Sequence, residues 1–299
     1  MRTLSFINIL LGLLLAPLLL GIINKTKAFY AGRTGQSLLQ AYYDIIKQLR
    51  KGAVYSKTTS WIFRTGPTLG LAAVLLGLVI VPLGGIPAPL AFSGDMLLLA
   101  YILGLMRFFT VIAALDTGSS FEGMGASREV LYSALAEPAL LVGLAAIARE
   151  THFLSLSQMM PAVSFLSPEV VLVTVALLIV FLCENARIPI DDPNTHLELT
   201  MIHEVMVLDH GGPDFAFILY SSALKMWILG LIIIGIFLPY PAGYSPYMQV
   251  VYAIFGLFLL AVIVGVIESS MARLRLIRIP QLLVAASTLS AFAFILVLR

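Results

Sequence analysis

The chain reads as an all-α, polytopic membrane protein: eight transmembrane helices, an amphipathic helix on the cytoplasmic surface, and a helical 5–6 loop. Three observations predict this class. Of 299 residues, 60% are hydrophobic and 11% charged, with a mean hydropathy of +1.00, whereas globular proteins carry roughly 25% charged residues. Apolar runs of about 20 residues, the length that crosses a bilayer, recur along the chain. Basic residues crowd alternate connections. Residues 1–299 are read as a single integral membrane domain.

The expected spans are 4–24, 66–84, 96–115, 128–149, 168–186, 215–239, 247–269 and 279–298. Backbone facing lipid must satisfy its own hydrogen bonds, so all should be helices. The first run is longer than a signal-peptide core, and Asn24-Lys25-Thr26-Lys27 follows it in place of a small-residue cleavage pattern. It therefore reads as a retained helix. Connections 1–2, 3–4, 5–6 and 7–8 hold 13 of the 18 Lys and Arg residues. The positive-inside rule puts those connections in the cytoplasm and both termini outside.

The 1–2 connection contains residues 37–50, where Leu38, Leu39, Tyr42, Ile45, Ile46 and Leu49 recur at three- and four-residue spacing. That pattern predicts an amphipathic surface helix, with Ser37 as its N-cap. The 2–3 connection is short and rich in Pro and Gly, as expected of an external turn. Span three carries Arg107 near its middle. A mid-membrane arginine costs about 2.5–3.5 kcal/mol on insertion scales, so it should face inward and meet a partner. Asp116 ends the span and opens a glycine-rich stretch, 116–125, read as an internal loop. That stretch lacks the Lys-Ser/Thr of a phosphate-binding loop.

Span four holds Glu137 followed by Pro138. A carboxylate at that depth is either functional or paired across helices for structure. The proline should loosen the helix there. Residues 184–214 then gather seven of the 16 acids and three of the four histidines. Asp192 and Pro193 suit the start of a helix over 193–209, with Asp192 as a cap. Leu197, Met201, Val205 and Leu208 would form its buried stripe, and His196 and His203, seven apart, would share another face. His203 and Glu204 begin like a zinc-protease motif, but Val207 stands where the second histidine belongs. No metal site and no catalytic residue is expected. Histidine is easily poised near neutral pH, so these imidazoles among carboxylates suit a proton relay. Lys225 lies inside span six. Glu268 ends span seven, where it reads either as a solvated helix-end charge or as part of the same path. The lone Cys183, inside an apolar run, reads as a small buried hydrophobe.

Glu184-Asn-Ala-Arg187-Ile-Pro189-Ile-Asp191, followed by Glu198-Leu, resembles the cytoplasmic-loop signature of the complex I subunit 1 family, the membrane-anchor family of NADH–quinone oxidoreductases. Gly32-Arg33 and the run from Gln40 through Asp44 to Lys47 resemble the family's first signature. Tyr132 through Glu137-Pro resembles its fourth-span carboxylate motif. The continuation from Asp192 through His196, His203 and Glu204 is closer to the branch found in membrane-bound hydrogenases of the hydrogenase-4 and formate hydrogenlyase type. Ile190 stands where quinone-reducing members have Phe, and Asn194, Thr195 and His196 replace much of their acidic run.

The resemblance implies a membrane-anchor and ion-translocation-coupling subunit of an energy-converting nickel–iron (NiFe) hydrogenase in a prokaryotic cell membrane. Implied partners are the large and small subunits of a peripheral NiFe hydrogenase, an iron–sulfur subunit and antiporter-like membrane subunits. Lipid is expected around the chain, and no nucleic acid. No cofactor belongs to the chain itself; NiFe and iron–sulfur clusters would sit in the partners. Glu137, Glu184, Asp191, Glu198, His203, Glu204, Asp116, Glu268 and Lys225 are the expected proton path. Arg33, Asp44, Lys47, Arg187 and His196 are the expected docking and loop residues. Two other readings remain at this point. One is the quinone-chamber subunit of a donor–quinone oxidoreductase. The other is a free-standing ion transporter, for which no clear internal repeat is found.

Overall fold

The computed structural model describes residues 2–191, 201–238 and 245–299. Its helices are α1 (Arg2–Tyr30), α2 (Gln40–Leu49), α3 (Trp61–Ile80), α4 (Asp95–Asp116), α5 (Ser120–Thr151), α6 (Leu156–Ala162), α7 (Pro168–Glu184), α8 (Gly212–Phe237), α9 (Pro246–Ser270) and α10 (Ile279–Leu298). No strand occurs among the described residues. Each expected span falls on a helix. Seven of them are long and apolar enough to cross a membrane. The other, α7, has 17 residues, about 25 Å at 1.5 Å per residue.

The helix ends follow local chemistry. Ser167 accepts a hydrogen bond from Val170 N at 3.4 Å, and Ser245 from Met248 N at 3.4 Å; a proline takes the first helical position after each. Both are the cap-then-proline arrangement that starts a helix. In α1, Pro17 has no N–H to give the carbonyl four residues back. That carbonyl, of Leu13, instead accepts from Tyr220 Oη of α8 at 2.8 Å, and the adjacent Leu14 carbonyl accepts from Tyr42 Oη of α2. The missing donor thus ties α1 to α8, and the neighbouring carbonyl ties it to α2.

The helix α8 is the axis of the bundle. From Ala223 to Ile236 every side is buried, as expected of a helix that is apolar all round. Around it, α3 packs on α4 and α8, α1 on α9 and α8, and α10 on α5 and α7.

Three expectations are corrected. Ser37 does not cap α2: the helix begins three residues later, after Leu39, and the Ser37 carbonyl accepts from Gln40 N at 3.1 Å in a preceding turn. Residues 120–125 of the glycine-rich stretch are helix, not loop, because α5 starts at Ser120. There Gly125 lets a neighbour in: a Cβ on it would lie 2.3 Å from Val205 Cγ1. Pro138 lies within α5, which runs on to Thr151. Residues 201–209 are not the end of an α-helix but a bend and a 3-10 turn, Glu204–Val207. Met201 and Val205 are buried as expected, yet Leu208 is half exposed and Met206 and Val207 are buried instead. A 3-10 turn repeats every three residues, so a stripe laid out for 3.6 drifts off its face. Asp192, His196, Leu197, Glu198 and the start of that expected helix lie outside the described residues.

Candidate functional site

At its C-terminal end α7 stops at Glu184, and the chain folds back in a tight turn. Arg187 N donates to Leu182 O at 2.9 Å, and Asp191 N to Arg187 O at 3.2 Å. The Pro189 carbonyl accepts from Leu274 N at 2.8 Å. Asn185, Arg187 and Asp191 are all buried. The motif is therefore a polar plug inside the protein, under residues 201–210, and not a solvated loop.

Three charge groups surround that plug. The first lies among α4, α5, α7 and α8. Arg107 pairs with Glu184, with Glu137 at 2.6 Å and with Glu129 at 3.6 Å. Lys225 reaches the other oxygen of Glu184 at 3.6 Å. Arg107 thus finds the inward partner expected of it, and finds three. Glu184, Lys225 and Arg107 are nearly covered, while the Glu137 side chain is 51% exposed on the flank of the bundle. A cleft of about 100 Å³, bounded by Gly104, Arg107, Glu137 and Glu184, opens beside it. Among the described residues the group holds three carboxylates, Glu129, Glu137 and Glu184, for two cations, Arg107 and Lys225.

In the second group, Glu268 is fully buried and meets Lys27 at 2.7 Å and Arg187 at 3.5 Å. Of its two expected readings, the solvated helix-end charge is ruled out by this burial. In the third, Asp191 meets Arg273 at 2.8 Å and accepts from Ile202 N at 3.0 Å and His203 N at 3.3 Å. Arg128 adds a hydrogen bond to Met201 O at 2.8 Å. Asp191 thereby anchors the 5–6 loop to the 7–8 connection.

A cavity of about 210 Å³ lies between α1, α2, α8 and the 5–6 loop. Asn24, Gln40, Asp44, Arg187, His203 and Glu204 give it polar walls. Gln40 Nε2 donates to Asp44 Oδ1 at 3.0 Å, so α2 turns polar side chains inward. Its apolar residues Leu39, Ile46 and Leu49 are about half exposed, as an interfacial helix requires. The His203 imidazole has its pKa pushed down to about 4, first by burial and then by Lys225. His210 is likewise lowered to about 4 by burial; its ring stacks on Phe63 at 3.9 Å.

Other expected site residues fall elsewhere. Asp116 Oδ2 accepts from Ser60 N at 2.7 Å and Phe63 N at 3.3 Å, capping α3. Arg33 and Lys47 are exposed. His196 and Glu198 lie outside the described residues. Sequence reasoning missed Glu129, which lies eight residues before Glu137 on the same helix. Two helical turns put both on one face, so the signal was available. It also missed Glu122, which is fully buried and accepts from Asp209 N at 3.1 Å. The mistaken loop assignment hid it.

Residues 3–299 match the family model described as NADH dehydrogenase. The chain is 31% identical to formate hydrogenlyase subunit 4 of Escherichia coli K12 over 290 residues, covering 94% of this chain and 93% of that one. It is 30% identical to hydrogenase-4 component C of the same organism over 295 residues, covering 95% and 91%. Its fold superposes with a TM-score of 0.85 on a chain of the membrane-bound sulfane sulfur reductase, an archaeal respiratory membrane complex. That match covers 99% of this chain and 98% of the other at 20% identity.

Proposed function

The chain belongs to the NADH dehydrogenase family, and from that membership we propose that it is the membrane-anchor and coupling subunit of a multisubunit energy-converting NiFe hydrogenase. Two relatives at 30% identity or more, matched nearly end to end, carry hydrogenase and formate hydrogenlyase names. Under this reading the peripheral hydrogenase and iron–sulfur subunits sit on the basic connections, where Arg33 and Lys47 are exposed. Redox chemistry belongs to them, and this chain supplies electrostatics. The protein lies in a prokaryotic inner membrane with both termini outside; a periplasmic reporter fused to the C-terminus would be active.

The observation that carries the coupling role is the charge group leading from the buried Glu184 to the half-exposed Glu137. Under this reading the three carboxylates, which outnumber their two cations, share a proton. A charge change at the docked module acts on Asp191 and His203, and through Lys225 and Arg107 on that proton. Glu137 faces outward at mid-membrane, where an uncovered carboxylate is costly. An antiporter-like subunit would cover it and take the proton onward.

The test is Glu137→Gln in the complete complex in proteoliposomes. Hydrogenase activity with a soluble electron carrier should be retained, and ion translocation should fall at least tenfold. Translocation at the wild-type rate overturns the role.

The quinone-chamber reading has one observation in its favour: the 210 Å³ cavity lies where α2 faces the 5–6 loop. Ligand pockets run roughly 300–1,000 Å³, which favours a water-filled antechamber. Quinone-dependent turnover by the purified complex would reverse that preference.

A further inference from the structure

We propose that the groove between α1 and α9 holds one anionic phospholipid, its phosphate on Lys25 and an acyl chain along Ile22, Val262 and Val266. The groove measures about 410 Å³ and opens outward. It lies where α1 runs into the basic 1–2 connection. On α1, residues 22, 25 and 29 fall at i, i+3 and i+7, a single stripe. That stripe continues Phe6, Leu10 and Leu14, which are all more than half exposed on a helix long and apolar enough to cross a membrane. Lys25 is where the apolar stripe ends.

Three further features fit a lipid headgroup at that point. Lys25 Nζ donates to Thr34 O at 2.7 Å, which fixes the ammonium and leaves two of its three N–H groups for a phosphate. Lys27, two residues on and so turned to the other side of the helix, is occupied by Glu268, so Lys25 is the cation offered to the groove. Phe29 and Tyr30 pack edge to face at 5.8 Å beyond it, the level that aromatic side chains take at a membrane interface. The floor is closed because α1 and α9 touch: a Cβ on Gly265 would lie 2.7 Å from Thr26 Cβ. From Ile22 to Tyr30 the groove runs about 12 Å along the helix. Charge complementarity selects the anionic class, since basic sites on the cytoplasmic side attract anionic headgroups. Continuity with the bilayer-facing stripe selects a lipid over a peripheral protein.

The test is native mass spectrometry of the intact complex equilibrated in micelles containing phosphatidylglycerol or phosphatidylcholine. The wild type should retain one more phosphatidylglycerol than Lys25→Ser. Apparent affinity should drop about fivefold in the variant, the ratio expected of one basic residue near an anionic surface. Lys25→Arg should retain the lipid. Val266→Trp, which fills the groove without changing charge, should lose it, and Lys57→Ser, an exposed control, should not. Equal retention by wild type, Lys25→Ser and Val266→Trp overturns the site, as does equal retention of phosphatidylcholine. So does a photo-crosslinker at position 262 that captures another subunit instead of lipid.

Discussion

The two ends of the helix bundle bury polar groups in different ways. At the end formed by the 2–3 connection and α6, each polar group has one local task. Asp95 is fully buried and accepts from Ser155 Oγ at 2.7 Å and Leu156 N at 2.8 Å. Asn8 Nδ2 donates to Val81 O at 2.6 Å, and Ser157 Oγ accepts from Ala88 N at 3.0 Å. At the opposite end, carboxylates and cations meet in shared groups around Arg107, Glu268 and Asp191. Connections can be closed by hydrogen bonds alone, as the first end demonstrates. Buried ion pairs contribute little net stability over well-packed apolar side chains. The shared charge groups at the basic end are where the proposed proton path would lie, and the other end offers a comparison without them.

Perturbing the two ends should separate these roles. The largest effect is expected from Arg107→Ala. It removes the cation shared by Glu129, Glu137 and Glu184, leaving Glu184 with Lys225 alone, and breaking one side of a buried pair costs about 3–5 kcal/mol. Thermal unfolding of the detergent-solubilised complex should show that loss, together with abolished translocation. If stability falls but translocation at permissive temperature does not, the charges there are structural, as at the other end.

Next comes acid sensitivity. Burial lowers the His210 pKa from 6.5 to about 4, so between those values the unfolded chain binds the extra proton. Its contribution is complete above pH 6.5 and is lost as the pH falls toward 4, on the order of 3 kcal/mol by the lower limit. His210→Phe keeps the stack on Phe63 and should flatten the acid limb of a melting-temperature profile. An unchanged limb would place the acid response elsewhere.

Asp95→Ala, at the opposite end, should cost about 1–3 kcal/mol through the unmet Leu156 N–H and leave translocation per assembled complex unchanged. A translocation defect there would erase the contrast between the ends. The smallest effect is expected from Tyr220→Phe, about 0.5–1.5 kcal/mol, because it removes only the hydrogen bond to the Leu13 carbonyl. Unfolding midpoints would read it.

Much of this was legible in the sequence. Hydrophobic length located the spans, since a helix in lipid must be apolar along its whole lipid-facing length. The cost of an arginine at that depth required a partner for Arg107, and the expected span 168–186 ends within two residues of α7. Less was legible where sequence signals compete. The glycines after Asp116 looked like a loop because glycine weakens helices, yet Gly125 serves close packing against Val205. Nor did the sequence show that Arg187, Asp191 and Glu268 are buried, because the burial of a polar residue depends on what packs over it.

By itself, then, the sequence determined the class, the span positions and the inventory of charges, because bilayer thickness and the cost of bare polar groups act on each segment separately. Only the tertiary structure decided which carboxylate meets which cation. It joined Arg107 to Glu129, Glu137 and Glu184, and left Glu137 facing outward. Those partners come from separate helices, and their distances depend on how the helices pack, which no local pattern encodes.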